Sequence, residues 1–371
     1  MKKTLSFYTS GRDNNFNLIR FIAATLVIFS HSFALALGHH DTLYSTFGIT
    51  GGTIAVDIFF VTSGFLITGS FFSRNSLIAF IWARIIRIYP ALIVAVLFCV
   101  FIVGLSFTTL DAFDYLSNNQ THKFLIKNIF LFQGIELVLP GVFQDIPWKE
   151  TVNGSLWTLP HEVRMYAILA VILSCITLGN NFFDRIIFKI KPGFKSYQWG
   201  LLILGIFSIS LHLVNHFHVI YNPSFVRLFS MFFVGATIYA WKDKIYLSSS
   251  LMFILTFLLL FSAFNKDSFY ITYYLTLPYI TLYLAYVPSG QIRKFNKYGD
   301  YSYGIYIYAF PIQQSLAQII PKISVSLMTL LTFILTIILA ALSWHLIENR
   351  FLKFKGSYII FEKYIKKLRL K

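Results

Sequence analysis

Arg20 and His31 stand eleven residues apart in the run FNLIRFIAATLVIFSHSFALAL. On a helix, eleven steps of 100° return to within about 20° of the start, three turns on and ~16 Å higher. The two side chains therefore share one face. A second run, GGTIAVDIFFVTSGF, carries Asp57, and a third, NGSLWTLPHEVRMY, carries Glu162 and Arg164. A histidine with a carboxylate partner is the usual general-base arrangement, since the partner fixes the tautomer and stabilises the imidazolium. Counting 1.5 Å per residue puts His31 ~9 Å, Asp57 ~6 Å and Glu162 ~10 Å below one edge of their helices, so all three are expected at one depth. The bland alternatives are a satisfied buried histidine, an Arg20 that snorkels to the interface and a structural Glu162–Arg164 pair.

A further pair, Arg84 and Arg87 in FIWARIIRIYPAL, has the i,i+3 spacing that sets two guanidinium groups on one helical face, where they can fork onto phosphate oxygens. Anchoring to anionic headgroups is the competing explanation. His39, His40 and Asp41 fall in a connecting segment and are expected to be solvated. His212 and His216 have helical spacing without a carboxylate or thiolate nearby, and HEVRM is not the zinc-binding HExxH, so no metal is indicated.

These residues matter because of where they sit. Only 12% of the 371 residues are charged, 57% are hydrophobic and mean hydropathy is +0.68. A soluble domain carries about 25% charged residues, so a cytosolic enzyme, a disordered chain and a secreted disulfide scaffold are excluded. What remains is an all-α polytopic membrane protein, in which each ionisable group inside a span costs at least a few kcal/mol and marks a candidate site. Cys99 and Cys175 lie in apolar runs without CxxC spacing and are expected to be buried free thiols.

Ten apolar spans are predicted, near 17–37, 53–72, 88–106, 155–178, 199–217, 224–241, 248–264, 268–287, 301–320 and 323–346. The shorter, more polar stretch 123–139 is expected to be re-entrant or interfacial. With both termini cytoplasmic, 23 of the 31 Lys and Arg residues fall on the inner side and 5 on the outer, while Arg20, Arg164 and Arg227 fall within spans. That asymmetry obeys the positive-inside rule and absorbs most of the +16 net charge without nucleic acid. Lys2, Lys3 and Ala34-Leu35-Ala36 imitate a secretory signal, but Arg20 interrupts the apolar run. The expected organisation is one membrane domain over 1–354 and a basic cytoplasmic tail over 355–371.

Six blocks in a fixed order carry a resemblance: NLIRFIAATLVIFSH, GGTIAVDIFFVTSGFLI, FIWARIIRIYPAL, NGSLWTLPHEVRMY, YGDYSYGIYIYAFPIQQ and WHLIENRFLK. From about Asn17 to Phe354 the chain resembles the acyltransferase family 3, integral-membrane acyltransferases that include polysaccharide O-acetylases. The family's arginine, ten residues and histidine fall on Arg20 and His31, and its RxxR on Arg84 and Arg87. Ala309 occupies the place of a histidine in the motif SYGIYLxHxP, so that residue's role does not transfer. The periplasmic hydrolase-like domain of many members has no counterpart in the sequence.

The resemblance implies acetyl-CoA or another acyl-CoA as a donor substrate, with no tightly bound cofactor, and a hydroxyl of a cell-surface polysaccharide or its lipid-linked precursor as acceptor. Arg84 and Arg87 would hold the anionic part of the donor, and Arg20 would orient it. His31 would act as base or transient acyl carrier, oriented by Glu162 or Asp57. Trp157, Arg164 and Tyr166 are the expected acceptor contacts. The expected setting is the bacterial inner membrane, with a separate periplasmic factor as a conceivable partner. A glycan or acyl exporter is the alternative from another class.

Overall fold

The structure, a computed structural model, describes residues 3–11, 13–74, 76–176 and 194–359. Among them are ten helices of at least 13 residues, numbered here in chain order. They are α1 (Phe16–Leu37), α2 (Gly51–Ser73), α3 (Leu77–Leu97), α4 (Leu159–Ile176) and α5 (Phe194–Phe217). The second half holds α6 (Pro223–Ala240), α7 (Ser249–Phe261), α8 (Lys266–Tyr286), α9 (Ser302–Ile319) and α10 (Val325–Ser343). The end of the bundle where α1 stops and α2 begins is called the upper end.

Seven helical segments are long and apolar enough to cross a membrane: α1 to α6, with α3 prolonged to Phe107 and α4 begun at Gly154, and α10 prolonged to Gly356. The other three predicted spans are helical as well, but α7 is short, and α8 and α9 dilute their apolar faces with tyrosine, threonine and glutamine. The protein is an all-helical, multi-pass membrane protein. The stretch 123–139 forms the end of a 12-residue helix (Asn119–Phe130) and a loop that packs Leu131 and Leu139 into the core. Most of the basic tail and the basic segment 185–195 lie outside the described residues.

α2 is the central post, packed on α1 at one side and α6 at the other. The α2–α6 contact is backbone on backbone. A Cβ on Gly64 would stand 1.9 Å from the Phe232 carbonyl oxygen, and one on Gly235 would stand 2.2 Å from that of Val61. Small residues at such crossings let helices approach where lipid offers no hydrophobic drive between them. α9 packs on α1 and α10 and is buried along almost its whole length.

Two features of the fold set the site. First, α3 begins at Leu77, eleven residues before the start of the predicted span, so Arg84 and Arg87 lie two to three turns inside the helix. Second, the segment before α4 dips into the bundle. Asn153 donates to the Ile307 carbonyl (2.9 Å), and Gln314 donates to the carbonyls of Trp148 (2.8 Å) and Thr151 (2.6 Å). These bonds satisfy backbone groups that apolar surroundings would leave orphaned. Cys99 is buried on the π-helical turn Phe98–Gly104, whereas Cys175 is exposed, contrary to expectation.

Candidate active site

Two cavities lie along the α1 face shared by Arg20 and His31. The upper one, of about 730 Å³, is lined by His31, Trp157, Arg227 and Tyr270, among others, and its rim includes the exposed His40 and Tyr44. The lower one, of about 40 Å³, is lined by Arg20, Ser63, Glu162, Ser302 and Tyr303 with Phe59 and Phe60. Val56 of α2 and Tyr306 of α9 belong to both walls, so the cavities abut.

His31 lies edge-on to Phe310, the residue after Ala309, with ring centroids 5.3 Å apart. Its Nδ1 is buried without a hydrogen-bond partner among the described residues. The expected carboxylate partners are engaged elsewhere. Asp57 is fully buried, 2.6 Å from Arg227 Nη1 and 2.8 Å from the donating Tyr273 hydroxyl. Glu162 accepts from the Tyr166 hydroxyl and faces Ser63 Oγ at 3.5 Å. The expectation of one common depth fails for Glu162. Ser63 is twelve residues along α2 and Asp57 six, or ~18 and ~9 Å from its start. Counting from the presumed helix edge overlooked that the chain has already descended through 154–158 before α4 begins.

The carboxylate that shares the upper cavity with His31 is Asp41, which was expected to be solvated. It is only 2% exposed. It accepts from Ser30 Oγ and from the backbone N–H groups of Leu43 (3.1 Å), Tyr44 (3.3 Å) and Gly51 (2.8 Å). Asp41 thus caps the short helix Thr42–Phe47 and also the start of α2, both places where partial positive charge accumulates. Its signal in the sequence was a helix-capping aspartate after the apolar run, not a metal ligand.

Arg20 reaches into the lower cavity, with Nε donating to Ser302 Oγ (3.3 Å), Asp300 at 4.0 Å and the Phe59 ring 5.5 Å beneath. Arg87 is clamped by Asp300 (2.5 Å) and Glu348 (3.1 Å). Glu348, on the π-helical turn Trp344–Glu348, is 2% exposed and also accepts from Ser343 Oγ (3.0 Å). Arg84 has no carboxylate within salt-bridge distance among the described residues. Its Nη2 lies 3.4 Å from Ser70 Oγ, its guanidinium 5.9 Å from the Tyr166 ring centroid, and its Nε is buried without a partner. The two arginines therefore do not act as a free pair: Arg87 is charge-balanced and Arg84 is not.

The three expected acceptor contacts separate. Trp157 lines the upper cavity. Tyr166 is buried and anchors Glu162 instead, one turn away on the same helix. Arg164 is exposed and lines neither cavity, because two residues turn a helix by 200° and put it opposite Glu162; the Glu162–Arg164 pair does not form. Among the described residues no three His, Cys, Asp or Glu side chains converge as metal ligands.

A family model described as an acyltransferase domain matches residues 13–346. The chain belongs to acyltransferase family 3. Similar proteins include an O-acetyl transferase of Shigella phage Sf6, 30% identical over 92% of this chain and 96% of the relative. Nodulation protein 10 of Rhizobium leguminosarum bv. viciae is 27% identical over 95% of this chain and 96% of its own. An uncharacterised Haemophilus influenzae protein is 33% identical over 32% of this chain and 48% of its own. No solved structure matches. Family membership and the O-acetyl transferase relative support a membrane O-acyltransferase activity.

Proposed function

We propose that this acyltransferase moves an acetyl group from cytoplasmic acetyl-CoA to a hydroxyl of a cell-surface polysaccharide or its lipid-linked precursor. In this reading the upper end is periplasmic, both termini are cytoplasmic, ten helices span the bacterial inner membrane, and the two abutting cavities form one route through the bundle. The observation that carries it is the shared wall of Val56 and Tyr306, which lets a donor arm from below meet an acceptor from above beside α1.

Arg84, with its unbalanced charge, attracts the phosphates of the donor at the lower end. Arg20 orients the donor arm from the lower cavity with the guanidinium N–H groups it does not spend on Ser302, whose own hydroxyl donates to Asp300 as that of Tyr303 does to the Ile88 carbonyl. His31 takes the proton of the acceptor hydroxyl, whose oxygen attacks the carbonyl carbon. The C–S bond breaks, and the proton passes to the departing thiolate. Asp41 stabilises the imidazolium that forms on His31. Trp157 gives a sugar ring an aromatic face. A separate periplasmic factor can carry the group onward where the final acceptor lies outside the membrane.

The reading is tested with labelled acetyl-CoA in membranes holding wild type, His31→Ala or Arg84→Ala. Transfer to glycan that survives both substitutions undiminished would overturn it. Loss of glycan export with acetylation intact would favour an exporter.

A further inference from the structure

Arg227 has no part in the scheme above. It lies on α6, across α2 from His31, and lines the upper cavity while remaining only 13% exposed. Nη1 donates to Asp57 (2.6 Å) and faces the Thr53 carbonyl at 3.3 Å. Asp57 is further held by Tyr273. A cation placed there at such desolvation cost needs its carboxylate merely to exist, so the pair is not by itself evidence of function. Its position is: a guanidinium carries five N–H donors, and those not spent on Asp57 and Thr53 are available toward the cavity.

The charges around the cavity limit what those donors can hold. Asp57 cancels Arg227. Asp41 is then the fixed charge left on the lining, and it is negative. Each of the four imidazoles on the lining has an aromatic neighbour: His212 bonds Tyr270 (3.0 Å) and stacks on Tyr274, His216 stacks on Tyr270 at 4.1 Å, His40 lies 4.5 Å from the Tyr44 ring and His31 is edge-on to Phe310. His216 also faces the exposed Asp267 at 3.5 Å. An acidic ligand therefore meets no uncompensated cation. A neutral one meets hydrogen-bond donors set among Tyr44, Trp148, Trp157, Tyr270 and Tyr306. Apolar ring faces beside a few fixed polar groups are the composition that suits an uncharged sugar.

We propose that Arg227 is a positioning residue for an uncharged sugar in the upper cavity, and that Asp57, by neutralising it, makes the cavity discriminate against uronate- or phosphate-bearing sugars. This deepens the acyltransferase reading and rests on the upper cavity being the acceptor side. Removing Asp57 turns a balanced donor into a free cation, so the preference should move toward anions.

The test is a binding measurement without acyl-CoA. Protein in nanodiscs is applied to an array of neutral and acidic bacterial oligosaccharides, as wild type, Arg227→Gln, Arg227→Lys and Asp57→Asn. Wild type should bind neutral glycans. Arg227→Gln should lose on the order of tenfold, the difference one good charged hydrogen bond makes, with partial recovery in Arg227→Lys. Asp57→Asn should raise the acidic-to-neutral ratio by a similar factor. Should Asp57→Asn fail to fold, the double variant Asp57→Asn/Arg227→Gln, which buries neither charge, takes its place and should lose neutral binding. Wild type that binds acidic glycans as well as neutral ones, or binds none, overturns the proposal. An unchanged ratio in folded Asp57→Asn, or full neutral binding by the folded double variant, does the same. Label transfer from acetyl-CoA by the same preparation reports separately on the catalytic reading.

Discussion

Arg84 and Arg87 lie one turn apart on α3, yet among the described residues Arg87 is held by two carboxylates and Arg84 by none. Spacing made them look like twins, and their neighbours make them opposites. Arg87 ties α3 to Asp300 before α9 and to Glu348 beyond α10, a cross-link between distant parts of the chain. Among the described residues the Arg84 guanidinium has the Ser70 hydroxyl at 3.4 Å and the ring centroids of Phe80 and Tyr166 at 6.0 and 5.9 Å, but no carboxylate within salt-bridge distance.

Substitution should separate the two. Arg87→Ala leaves Asp300 and Glu348 without their cation, a loss on the order of 3 kcal/mol, and should lower the yield of folded protein. Arg84→Ala should leave folding nearly intact and raise the apparent KM for acetyl-CoA by about tenfold with kcat little changed. Melting in detergent and initial rates of acetyl transfer check both.

Asp300, in the turn before α9, also gives a pH dependence. Burial works to raise its carboxyl, but Arg87, Arg20 and the Ser302 hydroxyl and N–H hold it below the usual carboxylate range. Its folded pKa is therefore lower than its unfolded one. The stability it contributes is present above the unfolded value of about 3.9 and is lost as pH falls through the folded value. Melting temperature should fall in acid below about pH 4, and Asp300→Asn should be less stable at neutrality and lose part of that dependence.

The α2–α6 crossing should tolerate nothing larger than glycine. Gly64→Ala and Gly235→Ala each drive a methyl into a backbone carbonyl across the contact, which neither helix can vacate by turning a side chain. Overpacking of this kind costs about 1–3 kcal/mol or more. Both variants should melt well below wild type, whereas Gly134→Ala, with no atom within 4 Å of its added carbon but a φ of +82°, should lose only the about 1–2 kcal/mol that a side chain costs in that backbone conformation.

Glu162 and Ser63 line the lower cavity with Arg20, and Tyr166, behind them, holds both the carboxylate and the Ser63 hydroxyl. Glu162→Gln should lower kcat at least tenfold. Tyr166→Phe, which removes one anchor and leaves the carboxylate, should fall between that and wild type, with little change in KM for the acceptor. An acceptor KM that rises strongly in Tyr166→Phe would restore the sugar contact expected from sequence.

Much of this was legible in the sequence. Apolar runs announce helices in lipid, where every backbone group must bond within the chain, and Arg20 and His31 do share one face of α1. What the sequence withheld was pairing between helices. Asp57 meets Arg227 from 170 residues away, and Arg87 meets Glu348 from 261, and no local periodicity encodes either. Asp300 and Glu348 sit in the motifs YGDYSYG and WHLIENR and are readable as carboxylates that need cations once buried, but nothing local says that Arg87 is the cation. Asp41 was missed because a capping aspartate and a solvated one look alike until the loop's fold is known. Glu162 was placed too high because a non-helical segment that descends into a bundle breaks the count of 1.5 Å per residue.

The central claim is that His31 is the group at which acyl transfer takes place. The most direct measurement is single-turnover transfer of labelled acetyl from acetyl-CoA to glycan by wild type and His31→Ala, reconstituted in equal amounts and with equal melting temperatures. The account predicts that His31→Ala binds acetyl-CoA as wild type does and transfers at least a hundredfold more slowly, the range a positioned general base contributes. Transfer by His31→Ala at the wild-type rate would contradict it.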